Sequence, residues 1–447
     1  MGNIAFIGGG ITALSAAFLI KKYYSNNYDI YIIDKDIGGK IKTKLLEFNG
    51  NKYFIELGPD SLVYNEKFNK INNEFQLSTL QPIFSNNNPN YVFFSNKIYK
   101  IPNNIIDFLL SNLVSFKSKL NFIFNLYKKI EYDLNDTLLT FCQKNFNKEF
   151  NENILFPIFS NVFSTDIDKL SIIPLLPYLK NIKKNLLKSK ATIFFNFKNG
   201  LQSLVNYFYQ FLINNGVKFV NDYLVNFKSD KEKYILKTEK TELIVNKIFF
   251  CIPAFNLNDV INNSLNDCNN ENFLELLKEL TELLKNISYH SSFIYILILN
   301  NFFDLKINGL LFKNHEIFKA ISFFNKKWNN LISNYKFNNN SIEFLRVFLK
   351  DDFNLDLKDL INELNKITLF KNVKIEDILY GEYVEWQHAI LTNNVNLFKV
   401  LKNIETVSEK LKDYNIYILA NFIKGSSIID RLYNSIEFVN TNLKYFK

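Results

Sequence analysis

Three consecutive glycines, Gly8, Gly9 and Gly10, are the first residues whose type and spacing could do chemistry. With Ala13 they fit G-x-G-x-x-[G/A] in "NIAFIGGGITALSAAFLI" (3–20). In that pattern the first glycine allows a tight turn and the second lets the backbone approach a pyrophosphate. The small third position lets a helix pack on the preceding strand. Ile11 and Thr12 then open a helix whose free N–H groups face the phosphates. Asp34 follows about 20 residues on, where an acidic side chain binds ribose hydroxyls. The bland alternative is a strand-loop-helix with a solvated Asp. Other chemistry has little to build on. Cys142, Cys251 and Cys268 form no C-x-x-C pair, and His290, His315 and His388 lie far apart. No metal site and no disulfide is expected, which suits a reducing compartment.

The elements that must position these residues read as α/β. Ile4-Ala5-Phe6-Ile7 is apolar throughout, as a strand buried on both faces should be. An Ala-rich helix follows over 11–20, and "YDIYIIDKD" (28–36) is a second strand ending at Asp34. Residues 101–190 read as helical. From 217 the pattern turns to strands with a charged hairpin at 228–233, and "NKIFFCIPA" (246–254) ends at a Pro turn. A helical block over 271–286 leads to strands at 290–300 and 342–349. Residues 414–443 read as a strand, a turn and a closing helix. The nucleotide unit is therefore expected to be discontinuous.

Composition bounds the rest. A chain of 447 residues suggests two or three domains, and 47% hydrophobic with 16% aromatic residues is ample for a core. The net charge of +9 accompanies heavy use of Lys, Asn, Ile and Phe, the residues of A/T-rich codons. Without a basic patch or a recognition module, no nucleic-acid partner is expected. No apolar run reaches transmembrane length, and "FIYILIL" (293–299) reads as a buried strand. The nucleotide fold begins at residue 3, so no leader peptide is expected before it.

Seven further stretches, in order, extend the glycine pattern. "IGGGITALSAAFLI", "DIGGKIKT" (36–43) and "FIELGPDSL" (54–62) resemble the flavin amine oxidase superfamily and, within it, the protoporphyrinogen oxidase family. "NKIYKIP" (96–102), "FSTDIDKLSI" (163–172), "FKNGLQSL" (197–204), "WQHAIL" (386–391) and "LANFIKGSSIID" (419–430) resemble further stretches of that family. The chain departs from the family at several positions. Asp34 stands for the usual Glu, Ala420-Asn421 lacks a Gly, and Leu391 stands for a Pro.

The resemblance implies a Rossmann-like FAD-binding domain of the amine oxidase type, a mixed-sheet substrate domain and a helical membrane-binding insertion. The expected bounds are 1–80 with 191–285 and 400–447, then 81–100 with 286–399, and then 101–190. It implies FAD held by Gly8 to Ala13, Asp34, Lys35, Gly38, Gly39 and Lys40. Gly58, Pro59, Asp60 and Ser61 would line the pocket, although Asp60 could instead cap the following turn. Val225 would pair its backbone with the adenine, and Ala420, Asn421 and Ile428 would close over the isoalloxazine. Trp386 would contact the flavin region or fill core.

The implied reaction takes protoporphyrinogen IX to protoporphyrin IX in three two-electron steps, with oxygen or a quinone as final acceptor. Lys100 is the candidate for a substrate carboxylate, with Tyr99 where family members carry Arg; a solvated Lys is the alternative. Arg346 is a weaker candidate, or a surface or ion-paired Arg. The apolar segment 103–130 and the basic stretch 178–190 suggest contact with an anionic membrane surface, and hence a cytoplasmic, peripheral protein, or else a lid packed on its own chain. A homodimer is left open. The rivals are coproporphyrinogen III oxidation, another enzyme of the superfamily, and a flavin-binding protein that no longer turns over.

Overall fold

An apolar strand needs cover on both faces, and Gly2–Ile7 has it at the centre of a five-stranded parallel sheet. In this computed structural model the described residues are 2–442, apart from 25–26, 49–50, 126, 164, 189–192, 231–232, 301–302, 329–341 and 354. The sheet runs Lys218–Val220, Tyr28–Ile33, Gly2–Ile7, Lys247–Phe250 and Ile416–Ile418. Its strands come from four distant parts of the chain, so the discontinuity follows from the pairing itself. Phe6 stacks on Phe249 at 4.7 Å and Phe249 on Tyr417 at 4.6 Å, which carries one aromatic row across three strands.

Helices Ile11–Tyr24, Gln202–Asn214 and Ile428–Thr441 cover one face. The first is buried from Ile11 to Lys21, which explains its lack of an amphipathic stripe. A buried hydroxyl pair, Ser15 Oγ to Ser435 Oγ at 2.8 Å, joins it to the closing helix. The other face packs on a three-stranded antiparallel sheet (224–245) and helices Ala254–Ser264, Glu271–Leu284 and Val395–Leu411. The tip of the expected charged hairpin, 231–232, lies outside the described residues.

A second sheet has seven strands, in the order Ile378–Leu391, Tyr289–Leu299, Glu343–Leu349, Phe318–Phe323, Gly309–Phe312, Asn90–Phe94 and Lys97–Lys100. One face packs on helix Leu357–Asn365. The other meets the ribbon Thr43–Phe48/Asn51–Glu56 through Ile294, Ile296, Phe344 and Tyr53.

Residues 105–188 form short helices around a separate core in which Phe122 lies between Phe108 (4.8 Å) and Phe150 (4.9 Å). The helices are broken by caps at Asn104, Ser115, Thr137 and Asn147. The basic stretch expected over 178–190 is only partly solvated. Lys183 is buried and donates to the carbonyls of Asn125 (2.6 Å) and Lys128 (2.9 Å), while 189–190 fall outside the described residues. Among the described residues no helix is long and apolar enough to cross a membrane.

Candidate functional site

The strand Gly2–Ile7 ends where the glycines turn the chain into the first helix. The Gly38 N–H donates to Gly9 O at 2.9 Å, so the Gly38-Gly39 loop is bound against the turn. The flanks of this turn are closed. A Cβ on Gly9 would stand 2.8 Å from the Ile37 side chain and 3.0 Å from that of Asp34. Gly10 is different: a Cβ there would meet nothing within 4 Å, and one on Gly39 would meet only Gly10 Cα, at 3.7 Å. The backbone of Gly10 and Gly39 thus lines an open cradle at the head of a buried helix. Ala13, fully buried, lets that helix sit close. An empty space faced by bare backbone at a helix N-terminus fits a dinucleotide pyrophosphate.

Asp34 follows the second strand at the edge of this cradle. Its Oδ2 accepts from Gly9 N–H at 2.5 Å and its Oδ1 from Asp36 N–H at 3.0 Å. Burial raises its pKa, and those backbone donors oppose the rise. Asp34 therefore shapes the glycine turn as well as offering carboxylate lone pairs beside it. Lys35 points away to Glu239 (2.7 Å) and Asp222 (3.9 Å), tying the cradle to the antiparallel sheet. Val225 lies at an irregularity of that sheet, 38% exposed, and its carbonyl accepts from Asn263 Nδ2 at 3.3 Å.

The 57–61 turn packs directly on the Gly38–Lys42 loop. A Cβ at Gly58 would lie 1.9 Å from Lys40 O, so only glycine fits. Trp386 donates its indole N–H to Leu57 O at 2.9 Å and packs half-buried beside it. Asp60 does not cap its turn. It is held by Lys327 (3.0 Å) and Arg346 (3.4 Å), with the Ser61 hydroxyl donating to it at 2.8 Å. Burial works against its charge, but the two cations hold its carboxyl down at about 2. Arg346 is therefore not a rim cation. It is 2% exposed and also donates to Gly58 O, so it braces the turn from behind.

The C-terminal turn completes the site. Asn421 Oδ1 accepts from the Tyr289 hydroxyl at 3.4 Å, and that hydroxyl accepts from Ala254 N–H at 3.1 Å. Arg431 donates to Ala420 O at 2.6 Å and to Ile423 O, which fixes the turn before Ile428 opens the last helix. Lys40 reaches across to the carbonyls of His388 (2.5 Å) and Ala389 (3.1 Å). His388 has φ 49°, a left-handed conformation that aims both carbonyls at this ammonium. Burial pushes Lys40 down to about 8.

Lys100 lies on the outer strand of the second sheet, in an ion pair with Asp107 at 2.9 Å. Tyr99 packs on the core of the helical insertion rather than standing free. Sequence reasoning missed Tyr289, Lys327 and Arg431. Arg431 alone carried a signal, as an arginine within the apolar stripe of the closing helix. Among the described residues no group of His, Cys, Asp and Glu could hold a metal ion.

No family profile matches the chain. Among curated proteins it is 27% identical to the coproporphyrinogen III oxidase of Staphylococcus aureus over 288 residues, 56% of this chain and 60% of that protein. It is 28% identical to the Bacillus subtilis protein of the same name, over 39% of each chain. It is 24% identical to the mitochondrial protoporphyrinogen oxidase of Nicotiana tabacum, over 41% of this chain and 36% of that one. The matched regions thus span three-fifths or less of these relatives. Among solved structures, a protein of Exiguobacterium sp. 255-15 provisionally named protoporphyrinogen oxidase superposes with TM-score 0.76 at 16% identity, over 98% of both chains. Cyclohexylamine oxidase of Brevibacterium oxydans superposes with TM-score 0.67 at 12% identity, over 99% of both. The fold is of the flavin amine oxidase type, and the resemblance to porphyrinogen oxidases read from the motifs is matched by the names of the curated relatives.

Proposed function

We propose that this chain binds FAD and oxidises protoporphyrinogen IX to protoporphyrin IX in haem biosynthesis. The observation that carries the reading is the open cradle at Gly10 and Gly39, set at the head of a buried helix with Asp34 at its edge. When bound, the flavin supplies the hydride acceptor for three two-electron oxidations, with oxygen or a quinone taking the electrons afterwards. The chain's own part is placement. Gly8 to Ala13 would receive the pyrophosphate and Asp34 the ribose. The turn braced by Arg346 and Lys327, the Trp386 indole and the Asn421 turn would frame the flavin ring. Val225 would lie toward the adenine. Lys100 and Tyr99 stay candidates for the substrate rim, Lys100 on condition that a carboxylate displaces Asp107.

A second reading, oxidation of coproporphyrinogen III, is favoured by the names of the Staphylococcus and Bacillus relatives. Membrane contact belongs to the same proposal. The insertion exposes Ile106 (65%), Leu110 (77%), Phe116 (74%) and Phe124 (82%) on its first two helices, with Lys117 and Lys119 beside them. Such a face suits peripheral attachment to an anionic, cytoplasmic leaflet.

The test is to load the purified protein with FAD, add each reduced porphyrinogen in turn, and follow porphyrin fluorescence against a no-protein control. A rise with one substrate selects it. Bound, oxidised flavin with no rise for either would leave a flavin-binding protein without this activity.

A further inference from the structure

Strand Ile378–Leu391 does not run evenly along its neighbour. Its pairing with Tyr289–Leu299 sets Trp386 opposite Ser292 and Ile390 opposite His290, so Gln387, His388 and Ala389 bulge out against Ser291 alone. Two outside groups hold the bulge. The Ser291 hydroxyl oxygen accepts from the His388 N–H at 3.4 Å, and the Lys40 ammonium donates to the carbonyls of His388 and Ala389. His388 takes a left-handed backbone there, φ 49°, which persists only where the surroundings over-determine it. Bulges of this kind re-aim a side chain.

The re-aimed ring leaves the second sheet and lies on the nucleotide unit. It stands 4.5 Å from the ring of Phe255, at 43°. Phe255 is in the first turn of helix Ala254–Ser264, and the residues just before that helix press on the glycine turn: a Cβ on Gly8 would lie 2.9 Å from the Ile252 side chain. Lys40, which holds the same bulge, follows Gly39, one of the two glycines that line the open cradle. Two cationic or donor groups thus reach the cradle from one bulge, and neither is spent on a carboxylate. The His388 imidazole is exposed and makes no hydrogen bond among the described residues, and the hydrogen bonds of Lys40 go only to carbonyls. Carbonyl dipoles leave the ammonium without a counter-ion where burial already lowers its pKa, and an anion in the cradle supplies one.

We propose that the 387–389 bulge makes His388 a cofactor-binding residue supplied by the second sheet: its imidazole donates to the phosphates of FAD at the mouth of the cradle, and Lys40, fixed by the same bulge, is their counter-ion. The assignment rests on the FAD part of the reading above and is independent of which porphyrinogen is oxidised. An imidazole has an N–H to donate whether neutral or protonated, and a phosphate oxygen is a strong acceptor for it. One bulge then sets both the seat of the cofactor and the strand that carries Trp386.

The experiment uses the full chain, stripped of flavin and titrated with FAD, and then the phosphorus NMR spectrum of the bound FAD. It compares the wild type, His388→Asn, His388→Gly and the exposed control Glu385→Gln. Asparagine and glycine both tolerate the left-handed backbone, so the His388 variants should fold. Each should bind FAD about tenfold more weakly, as loss of a hydrogen bond to a charged group predicts. At least one pyrophosphate resonance should move from its wild-type position in both, and the control should match the wild type. Resonances that stay in place overturn the contact whatever the affinity does, because a ring that only packs on Phe255 does not shield a phosphate. Moved resonances at unchanged affinity overturn it too, since a donor would have been lost at no cost. Both results leave the FAD reading intact, whereas a wild type that takes up no FAD overturns that reading as well.

Discussion

Gly10 and Gly58 are both glycines, and for opposite reasons. At Gly58 the space is taken: a Cβ would lie 1.9 Å from a backbone oxygen that cannot swing aside. At Gly10 the space is empty, and a side chain would disturb only what comes to fill it. Gly58→Ala should therefore lower stability by roughly 2–4 kcal/mol, read from chemical denaturation. Gly10→Val should keep near-normal stability in the flavin-free protein and fail to take up flavin. Uptake of stoichiometric flavin by Gly10→Val, seen in the visible spectrum after desalting, would sink the cradle reading. Asp34 belongs to the same logic. Its side chain, one methylene shorter than Glu, bonds Gly9 N–H directly, so Asp34 is part of the turn itself.

Elements are joined here by buried polar groups that no local pattern announces. Glu56 ends one strand of the 43–56 ribbon and is fully buried. It accepts from Asn196 Nδ2 (3.0 Å), Leu201 N–H (2.7 Å) and the Thr43 hydroxyl (2.7 Å), so one carboxylate fastens the ribbon to the turn before helix Gln202–Asn214. Burial raises its pKa from 4.5 to about 7, against the pull of those donors and of Arg346. Between those values the folded chain holds more protons than the unfolded one, so stability falls as pH rises through the window. The full effect is roughly 3 kcal/mol above pH 7 and vanishes below 4.5. Glu56→Gln mimics the protonated form and keeps the contacts, since Thr43 Oγ1 can turn to accept from the amide. Its stability curve between pH 5 and 7.5 should be flatter than that of the wild type. Parallel curves for the two proteins would show that Glu56 is ionised throughout.

At the scale of the molecule, the helical insertion divides its apolar residues between two surfaces. Phe108, Leu113, Val114 and Phe122 are buried in its own core, whereas Ile106, Leu110, Phe116 and Phe124 face outward. Their exposure is unlike that of scattered surface residues, because all four lie on two consecutive helices. Leu110→Asp with Phe124→Asp should cut binding to phosphatidylglycerol-containing vesicles at least tenfold in a sedimentation assay. Stability should be nearly unchanged, since neither side chain packs in the core. Vesicle binding that survives the double variant would assign the face to another role, and binding that was absent in the wild type would remove membrane contact altogether.

What the sequence determined by itself was whatever depends on neighbours along the chain. The glycine turn between an apolar strand and an apolar, Ala-rich helix, the acidic residue after the second strand, and the strand at 293–299 were all legible. Local backbone geometry and burial on both faces dictate those patterns within some twenty residues. The tertiary structure alone decided which charges are free and which are spent. Arg346 reads as a substrate cation or as a surface or ion-paired Arg, and only folding chooses the ion pair, by bringing Asp60 and Gly58 beside it from almost 290 positions away. Lys183 reads as part of a solvated basic stretch until the carbonyls of Asn125 and Lys128, just past the end of helix Phe116–Phe124, close on it. His388 belongs to no metal or catalytic set along the chain, and only the bulge against Ser291 brings its ring to Phe255. An ion pair or a pocket depends on distance in space, and no spacing along the chain encodes it.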